Sequence, residues 1–288
     1  MTKATSPSTT DPFDAAALSP ESVGSALNLS SLGTLFWLTV RQQSRGLRWI
    51  IFAILFCLPI LIAVGSHLFH WRVTNARLES LLVFGLIANA LVPLLALIFA
   101  GGMIRNEIEE QTLTYLLVRP LPKWAIYLTK LLATVLIAFL LASVFTTLTY
   151  VAIYWGMEDL GKEIFPTRVF KTCCLLGLAI LSYCSLFGCL SLFIRWSLIV
   201  GVIYILLFEG LLANIDFVLR RLTVMYYIRV LRGRWLNLSE ADAGLDLSGA
   251  PTSGASVAVL VVLNLLATGL ATLAFASREF RVKTPEGS

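Results

Sequence analysis

Charged side chains are scarce in this sequence. Of its 288 residues only 14% are charged, whereas 58% are hydrophobic, and the mean hydropathy is +0.84. A soluble globular chain carries about 25% charged residues. The composition therefore excludes an ordinary water-soluble domain and indicates a chain that is folded in lipid.

Cysteine and histidine are also few, and their spacing does not suit a metal or redox site. The five cysteines all fall in long apolar runs and form no CxxC pair, which indicates small packing residues. The two histidines, His67 and His70, have HxxH spacing, but no neighbouring histidine, cysteine or carboxylate completes a ligand set. We expect no metal and no cofactor in this chain.

Catalytic motifs are missing as well. No HExxH motif, pair of facing aspartates or Ser/His arrangement is evident. The segment GMEDLGKE, residues 156–163, nearly fits the phosphate-binding pattern G-x-x-x-x-G-K-[ST], but its last position is Glu163, where a hydroxyl must bind Mg²⁺. It also follows an apolar run rather than a strand. We therefore expect that the chain is not an enzyme.

Long apolar runs dominate the sequence. A helix rises about 1.5 Å per residue and the hydrocarbon core is about 30 Å thick, so runs of about 20 residues are long enough to span the membrane. Such runs cover residues 49–69, 81–102, 131–155, 172–194, 197–217 and 255–276. Arg195 and Trp196 separate the fourth run from the fifth and predict a tight hairpin. The predicted fold is an all-α integral membrane protein, a bundle of six transmembrane helices.

The regions outside this bundle are predicted from their composition. Residues 1–30 are rich in Ser, Thr, Ala and Pro without an apolar core, which predicts a disordered tail. Residues 31–48 repeat apolar side chains at helical spacing and carry arginines, which predicts an interfacial helix that leads into the first span. The membrane domain would cover residues 49–278, and residues 279–288 would form a second tail.

The predicted orientation places both termini in the cytoplasm. Six spans put the two termini on one side, and Arg41, Arg45 and Arg48 cluster just before the first span, where basic residues usually determine orientation. Residues 103–130 then form a cytoplasmic loop and residues 218–254 an external loop. We expect a multi-pass protein of the plasma (inner) membrane.

The loop between the second and third runs has a distinct pattern. Residues 104–118 combine glutamates with a group of leucines at helical spacing, which predicts a short helix. Pro120 ends this helix, because proline lacks an N–H and forces Arg119 out of the helical region. An amphipathic linker at the membrane surface is the alternative interpretation.

The order of residues in this loop resembles the signature loop of ABC-2-type transporter permeases. In that family an acidic segment, a Thr-Leu pair, a Leu-Leu pair, a basic-Pro turn and a lysine opening the third span follow one another. Here these positions are Glu107, Glu109, Glu110, Thr112, Leu113, Leu116, Leu117, Arg119, Pro120 and Lys130. Gln111 departs from the pattern, since many members have glycine there. The resemblance extends to the surface helix, the six spans and the long external connection.

This resemblance implies a permease subunit that forms the translocation path of an exporter. The helix in residues 104–118 would be a cytoplasmic coupling helix between spans two and three, docked in a cleft of an ABC ATP-binding subunit that binds ATP and Mg²⁺ itself. A second permease copy, as homodimer or heterodimer, and membrane lipid are the other implied partners, and nucleic acid is not expected. A secondary transporter and a non-transporting membrane scaffold remain alternatives.

Polar residues within the apolar runs are candidates for the translocation path. Glu209 is the only carboxylate deep within a predicted span. Inserting an ionised carboxylate at that depth costs about 3 kcal/mol, so we expect it to face the bundle or a wet cavity. Asn89 and Asn264 are further candidates, with hydrogen bonding between helices as the alternative. Residues 217–235 are basic and aromatic, which predicts an element that caps the external mouth and whose arginines meet lipid phosphates.

Overall fold

A computed structural model describes residues 29–44, 46–70, 73–103, 122–155, 164–194, 196–207, 223–238 and 249–277. The helices formed by these residues are α1 (Leu29–Ser44), α2 (Leu47–Leu68), α3 (Asn75–Gly102), α4 (Lys123–Ile153), α5 (Ile164–Phe193), α6 (Ser197–Leu207), α7 (Val224–Trp235) and α8 (Ser253–Ser277). No strand occurs in these ranges. The predicted all-α class is confirmed for this part of the chain.

Five of the described helices are long and apolar enough to cross a membrane, namely α2, α3, α4, α5 and α8. The predicted fifth span, residues 197–217, begins with the apolar helix α6, which is described as far as Leu207. Residues 208–217 lie outside the described ranges. The multi-pass architecture is therefore confirmed, and the count of six spans stays a prediction.

Three spans begin earlier than the apolar runs predict. Helices α3, α4 and α5 begin six to eight residues before the predicted starts of their spans. The added turns contain charged residues, which lower the local hydropathy without ending the helix: Glu79, Lys130 and Arg168. The hydropathy boundary therefore excluded charged side chains that belong to the bundle.

Helix α3 changes its helical type along its length. It begins as an α-helix at Asn75–Glu79, continues as a π-helix at Ser80–Leu91 and returns to an α-helix at Val92–Gly102. Pro93 lies at the second transition. A proline in an α-helix clashes with the carbonyl four residues earlier, here that of Asn89, and the wider π-helical turn gives that carbonyl more room.

The core of the bundle is formed by α3, α4 and α5. Helix α5 contacts α3, α4, α6, α7 and α8, so it occupies the middle of the described helices. Helices α2 and α8 are the least buried spans, and their outward faces carry side chains such as Leu61 and Leu265, 70% and 68% exposed. Apolar faces of this size suit contact with lipid or with another membrane protein.

Helices α3 and α6 pack closely because each contributes a glycine to the contact. A methyl group at Gly201 of α6 would overlap the side chain of Leu97 in α3, and a methyl group at Gly101 would lie 3.8 Å from Leu198. Small residues let membrane helices approach each other in this way. The described part of the predicted fifth span is thus packed against the core.

Helix α1 lies against α4. It ends at Ser44, and α2 begins at Leu47 after Gly46, so the helix predicted over residues 31–48 ends four residues earlier and residues 47 and 48 belong to the first span. Gln43 Nε2 of α1 donates a hydrogen bond to Thr134 Oγ1 of α4 at 2.9 Å. One face of α1 therefore contacts the bundle, while its position along a membrane surface stays a prediction.

The predicted external element contains helix α7. Thr223 caps its beginning, because the hydroxyl of Thr223 accepts a hydrogen bond from the backbone N–H of Tyr226 at 3.3 Å. Helix α7 packs against α5 and α8, and Lys171 Nζ of α5 donates to the carbonyl of Trp235 at 2.9 Å. Most of α7 is buried, so it is part of the bundle.

Candidate functional site

The predicted docking residues lie outside the described ranges. They all fall within residues 104–121, between the end of α3 and the beginning of α4: Glu107, Glu109, Glu110, Thr112, Leu113, Leu116, Leu117, Arg119 and Pro120. Glu209, in residues 208–222, is likewise outside them. The structure does show the parts of the bundle that flank residues 104–121.

The inner polar cluster, formed by Gln43, Met103, Lys130 and Thr134, includes Met103, the last described residue before residues 104–121. Thr134 Oγ1 donates to the Lys130 carbonyl at 2.8 Å, accepts from Gln43 Nε2 and lies 3.7 Å from Met103 Sδ. These contacts join α1, the end of α3 and α4. Met103 is therefore connected to α1 through Thr134 and Gln43.

Lys130 does not open the third span as the resemblance implied. It lies seven residues inside α4 and is only 2% exposed. Together with Gln43, Arg48, Phe99 and Met103 it lines a cavity of about 230 Å³. Helix α4 begins at Lys123, two turns before the predicted start of the span. Lys130 therefore lies within the helix and among the bundle residues instead of at the helix start.

Two of the three candidate path residues are described. Asn89 lies in the π-helical part of α3, and Asn264 lies in α8, where it is 7% exposed. Within the described ranges, Nδ2 and Oδ1 of Asn264 have no hydrogen-bond partner, and Oδ1 of Asn89 has none either. The alternative that these amides tie helices together is thus not supported by the described contacts.

The outer polar cluster, formed by Glu79, Tyr150, Tyr154, Arg168 and Thr172, was not predicted. Glu79 is 2% exposed, and its Oε1 accepts hydrogen bonds from Arg168 Nε and the Tyr150 hydroxyl, both at 3.0 Å. Its Oε2 accepts from the Tyr154 hydroxyl at 2.8 Å. Both carboxylate oxygens are therefore satisfied, as a buried charge requires.

The cluster holds three core helices together at one end. Glu79 belongs to α3, Tyr150 to α4, and Arg168 and Thr172 to α5, with Tyr154 just after α4. Thr172 Oγ1 lies 2.9 Å from the Tyr150 hydroxyl and donates to the Arg168 carbonyl at 2.9 Å. Glu79 is thus a buried carboxylate outside the predicted apolar runs, and the role of Glu209 stays a prediction.

The two polar clusters lie at opposite ends of α4. Lys130 and Tyr150 are 20 residues apart in one continuous helix, which places them about 30 Å apart along its axis. That length matches the hydrocarbon thickness of a bilayer. In the predicted orientation the inner polar cluster is cytoplasmic and the outer polar cluster is external.

The outer cavity adjoins the outer polar cluster and has a volume of about 480 Å³. It is lined by Thr74, Ala76, Arg77, Glu79, Ser80, Leu81, Phe84, Arg168, Arg232 and Leu238. Arg232 of α7 donates from Nη2 to Ser80 Oγ at 3.0 Å, and its guanidinium carbon lies 4.1 Å from the centre of the Phe84 ring. Arg234 donates to the Ala250 carbonyl at 3.0 Å. These two arginines thus contact protein groups, and the expectation that arginines of residues 217–235 meet lipid phosphates stays a prediction.

The histidine pair does not form a metal site in the structure as described. His67 Nε2 lies 3.1 Å from the Ile153 carbonyl, a hydrogen bond that joins α2 to the end of α4. Among the described residues, no group of three or more His, Cys, Asp and Glu side chains is arranged to bind a metal ion. His67 is thus explained by a contact between helices.

Comparison with known families assigns the membrane domain. The model of the family described as ABC-2 family transporter protein matches residues 44–211, more than half of the chain. The matched range begins at the end of α1, includes residues 104–121 and ends within the predicted fifth span. Comparison with curated proteins gives no match. The match agrees with the resemblance of the loop at residues 107–130 and with the multi-pass bundle, and the chain belongs to the ABC-2 family of transporter proteins.

Proposed function

We propose that this chain forms the translocation path of an exporter whose ATP hydrolysis takes place in a separate ATP-binding subunit. The family match over residues 44–211 carries the proposal, because it identifies the bundle as the permease of an ABC-type transporter. A permease of this family is a membrane transport component and is not itself catalytic, so its energy must come from an ATP-binding partner. Export is the direction that the resemblance favours.

The proposed docking element is the coupling helix in residues 104–118. Leu113 and Leu116 would fill a cleft of the ATP-binding subunit, and Glu107, Glu109 and Glu110 would set its register and speed its association. The inner polar cluster supports this role, since it connects Met103, which directly precedes residues 104–121, and helix α4 to α1 through Thr134 and Gln43. Closure of the ATP-binding subunits would then move α1, α3 and α4 together.

The proposed path runs through the bundle near Asn89, Asn264 and Glu209. A buried amide without a hydrogen-bond partner is rare in folded proteins, and Asn264 has two such atoms within the described ranges. Water in an opened path would satisfy them. The described spans carry few charges, which suits amphipathic substrates such as drugs, lipids or peptides better than small ions.

The proposed assembly contains two permease copies and two ATP-binding subunits. One chain has five to six spans, which is half of a translocation unit in the family it belongs to. The apolar outward faces of α2 and α8 leave surface for a second copy and for membrane lipid. The pairing could be between identical or related chains, and both arrangements satisfy the proposal.

The decisive experiment is co-expression with an ATP-binding cassette subunit, preferably one encoded next to this chain. We expect the two proteins to purify together, the complex to hydrolyse ATP in proteoliposomes, and the permease alone to hydrolyse none. Transport driven by an ion gradient without ATP would instead identify a secondary transporter. Stable membrane insertion with neither partner nor transport would identify a scaffold.

A further inference from the structure

We propose that the outer cavity binds the phosphate group of an anionic amphiphile. The cavity lies beside the outer polar cluster, between the beginnings of α3 and α5 and the end of α7, and its volume is about 480 Å³. Sites for small molecules typically measure about 300–1,000 Å³. A phosphate-bearing headgroup therefore fits within it.

The charge of the described lining favours an anion. Arg77, Arg168 and Arg232 contribute three positive charges, and Glu79 is the single carboxylate among the described lining residues. That carboxylate already accepts hydrogen bonds from Arg168, Tyr150 and Tyr154, so its charge is stabilised by protein donors. Among the described lining residues the arginines thus outnumber the carboxylates by two. The planar guanidinium of arginine matches the oxygens of a phosphate group.

Two of these arginines are placed to contact a ligand in different ways. Arg232 is held by Ser80 Oγ and by the ring of Phe84, which orients its guanidinium before any ligand arrives and reduces the entropic cost of binding. Arg77 is exposed and lines the cavity, and its side chain forms no hydrogen bond or ion pair with the described residues. Both arginines would therefore donate to the phosphate, Arg77 from the exposed rim of the cavity and Arg232 from its wall.

The remaining walls explain why the anion should carry an apolar part. Ala76, Leu81, Phe84 and Leu238 line the same cavity, and Leu81 is 59% exposed at its edge. Because the cavity lies at the Tyr150 end of α4, about 30 Å along that helix from Lys130, it is at the depth of a headgroup layer. A phospholipid from that leaflet can place its phosphate among the arginines and its chains beside Leu81, and a soluble phosphate ester could reach the same arginines.

The test measures phospholipid binding by the purified full-length chain in nanodiscs of phosphatidylcholine with added phosphatidylglycerol. Native mass spectrometry of the released protein should show preferential retention of one phosphatidylglycerol. Arg77→Gln and Arg232→Gln should each weaken this retention about tenfold, the effect of losing one charged hydrogen bond. Arg41→Gln, on the exposed face of α1 at the other end of the bundle, removes the same charge and should bind as the wild type does.

Competition distinguishes the two sources of phosphate. If glycerol phosphate and inorganic phosphate bind with the same dependence on Arg77 and Arg232 while phosphatidylglycerol does not, the ligand is a soluble phosphate ester. The proposal would be overturned if the wild type and both variants bound each of these ligands equally well. The melting temperature without added ligand shows whether Arg232→Gln is misfolded. If it is, the binding measured for Arg77→Gln decides the outcome, because Arg77 is exposed. The assay uses neither ATP nor a partner, so its failure leaves the proposed export function standing.

Discussion

Glu79 and Arg168 form a partly buried ion pair between the beginnings of two neighbouring spans, with Glu79 Oε1 3.0 Å from Arg168 Nε. The two residues are 89 positions apart in the chain. Their pairing fixes α3 against α5 at the end where α7 also packs. It makes this end of the bundle the most tightly connected polar region among the described residues.

Replacing Glu79 by alanine should destabilise the protein strongly. The change leaves the Arg168 guanidinium and the hydroxyls of Tyr150 and Tyr154 without their common acceptor, and losing one partner of a buried pair costs about 3 kcal/mol. Glu79→Gln preserves the shape and one acceptor oxygen and should cost less. The measurement is the melting temperature in detergent, and equal values for alanine, glutamine and wild type would contradict the role assigned to this cluster.

Replacing Gly201 by alanine should weaken the contact between α6 and α3. The added methyl group overlaps Leu97, and overpacking of this kind costs about 1–3 kcal/mol. Gly269→Ala in α8 is the matched control, because a methyl group there meets no atom within 4 Å and alanine favours helices. The melting temperature should fall for Gly201→Ala and should not fall for Gly269→Ala. It should recover when Leu97→Ala is combined with Gly201→Ala.

Replacing Leu113 and Leu116 together by aspartate should abolish association with the ATP-binding subunit. The two carboxylates would enter a desolvated contact, with a penalty of several kcal/mol when unpaired. Membrane insertion should be normal because no span is changed. Glu109→Ala should do little, since an exposed ion pair contributes about 0–1 kcal/mol. Co-purification measures both effects, and retention of the partner by the double leucine variant would show that residues 104–118 are only a linker.

The orientation is tested by labelling single cysteines introduced into a variant without the five native cysteines. A membrane-impermeant maleimide added from outside should react at position 244, in the predicted external loop, and should fail to react at position 284, in the predicted cytoplasmic tail. A cysteine at position 155, where the native Trp155 is exposed just after α4, should also react. The reverse pattern would invert the sides assigned to the inner and outer polar clusters.

The sequence predicts spans well where they contain no charge and poorly where charges are paired inside the fold. The first run was predicted at residues 49–69, and α2 covers Leu47–Leu68. The predicted start of α3 was six residues late, because Glu79 looks like the polar edge of a span until its partners are known. Hydropathy alone cannot detect such a partner on another helix.

The sequence indicates which residues of the outer polar cluster share a helix face, but not that these faces contact each other. Tyr150 with Tyr154 and Arg168 with Thr172 are polar pairs at i,i+4 spacing, so each pair lies on one helix face. Which faces pack together depends on the arrangement of the spans, and helical periodicity carries no information about that arrangement. The same reason explains why the contact of Arg232 with Phe84 could not be predicted.

Helix α4 has a consequence for the membrane in which the protein resides. Residues 131–149 contain no charged side chain, and both ends of this stretch are held by contacts to other helices, through Thr134 near one end and Tyr150 at the other. A helix held at both ends cannot slide or tilt by itself to match a thicker or thinner bilayer. The lipid must therefore stretch or compress around the protein, at a cost of fractions of a kcal/mol per Å of mismatch, so bilayer thickness should favour one membrane of the cell over another.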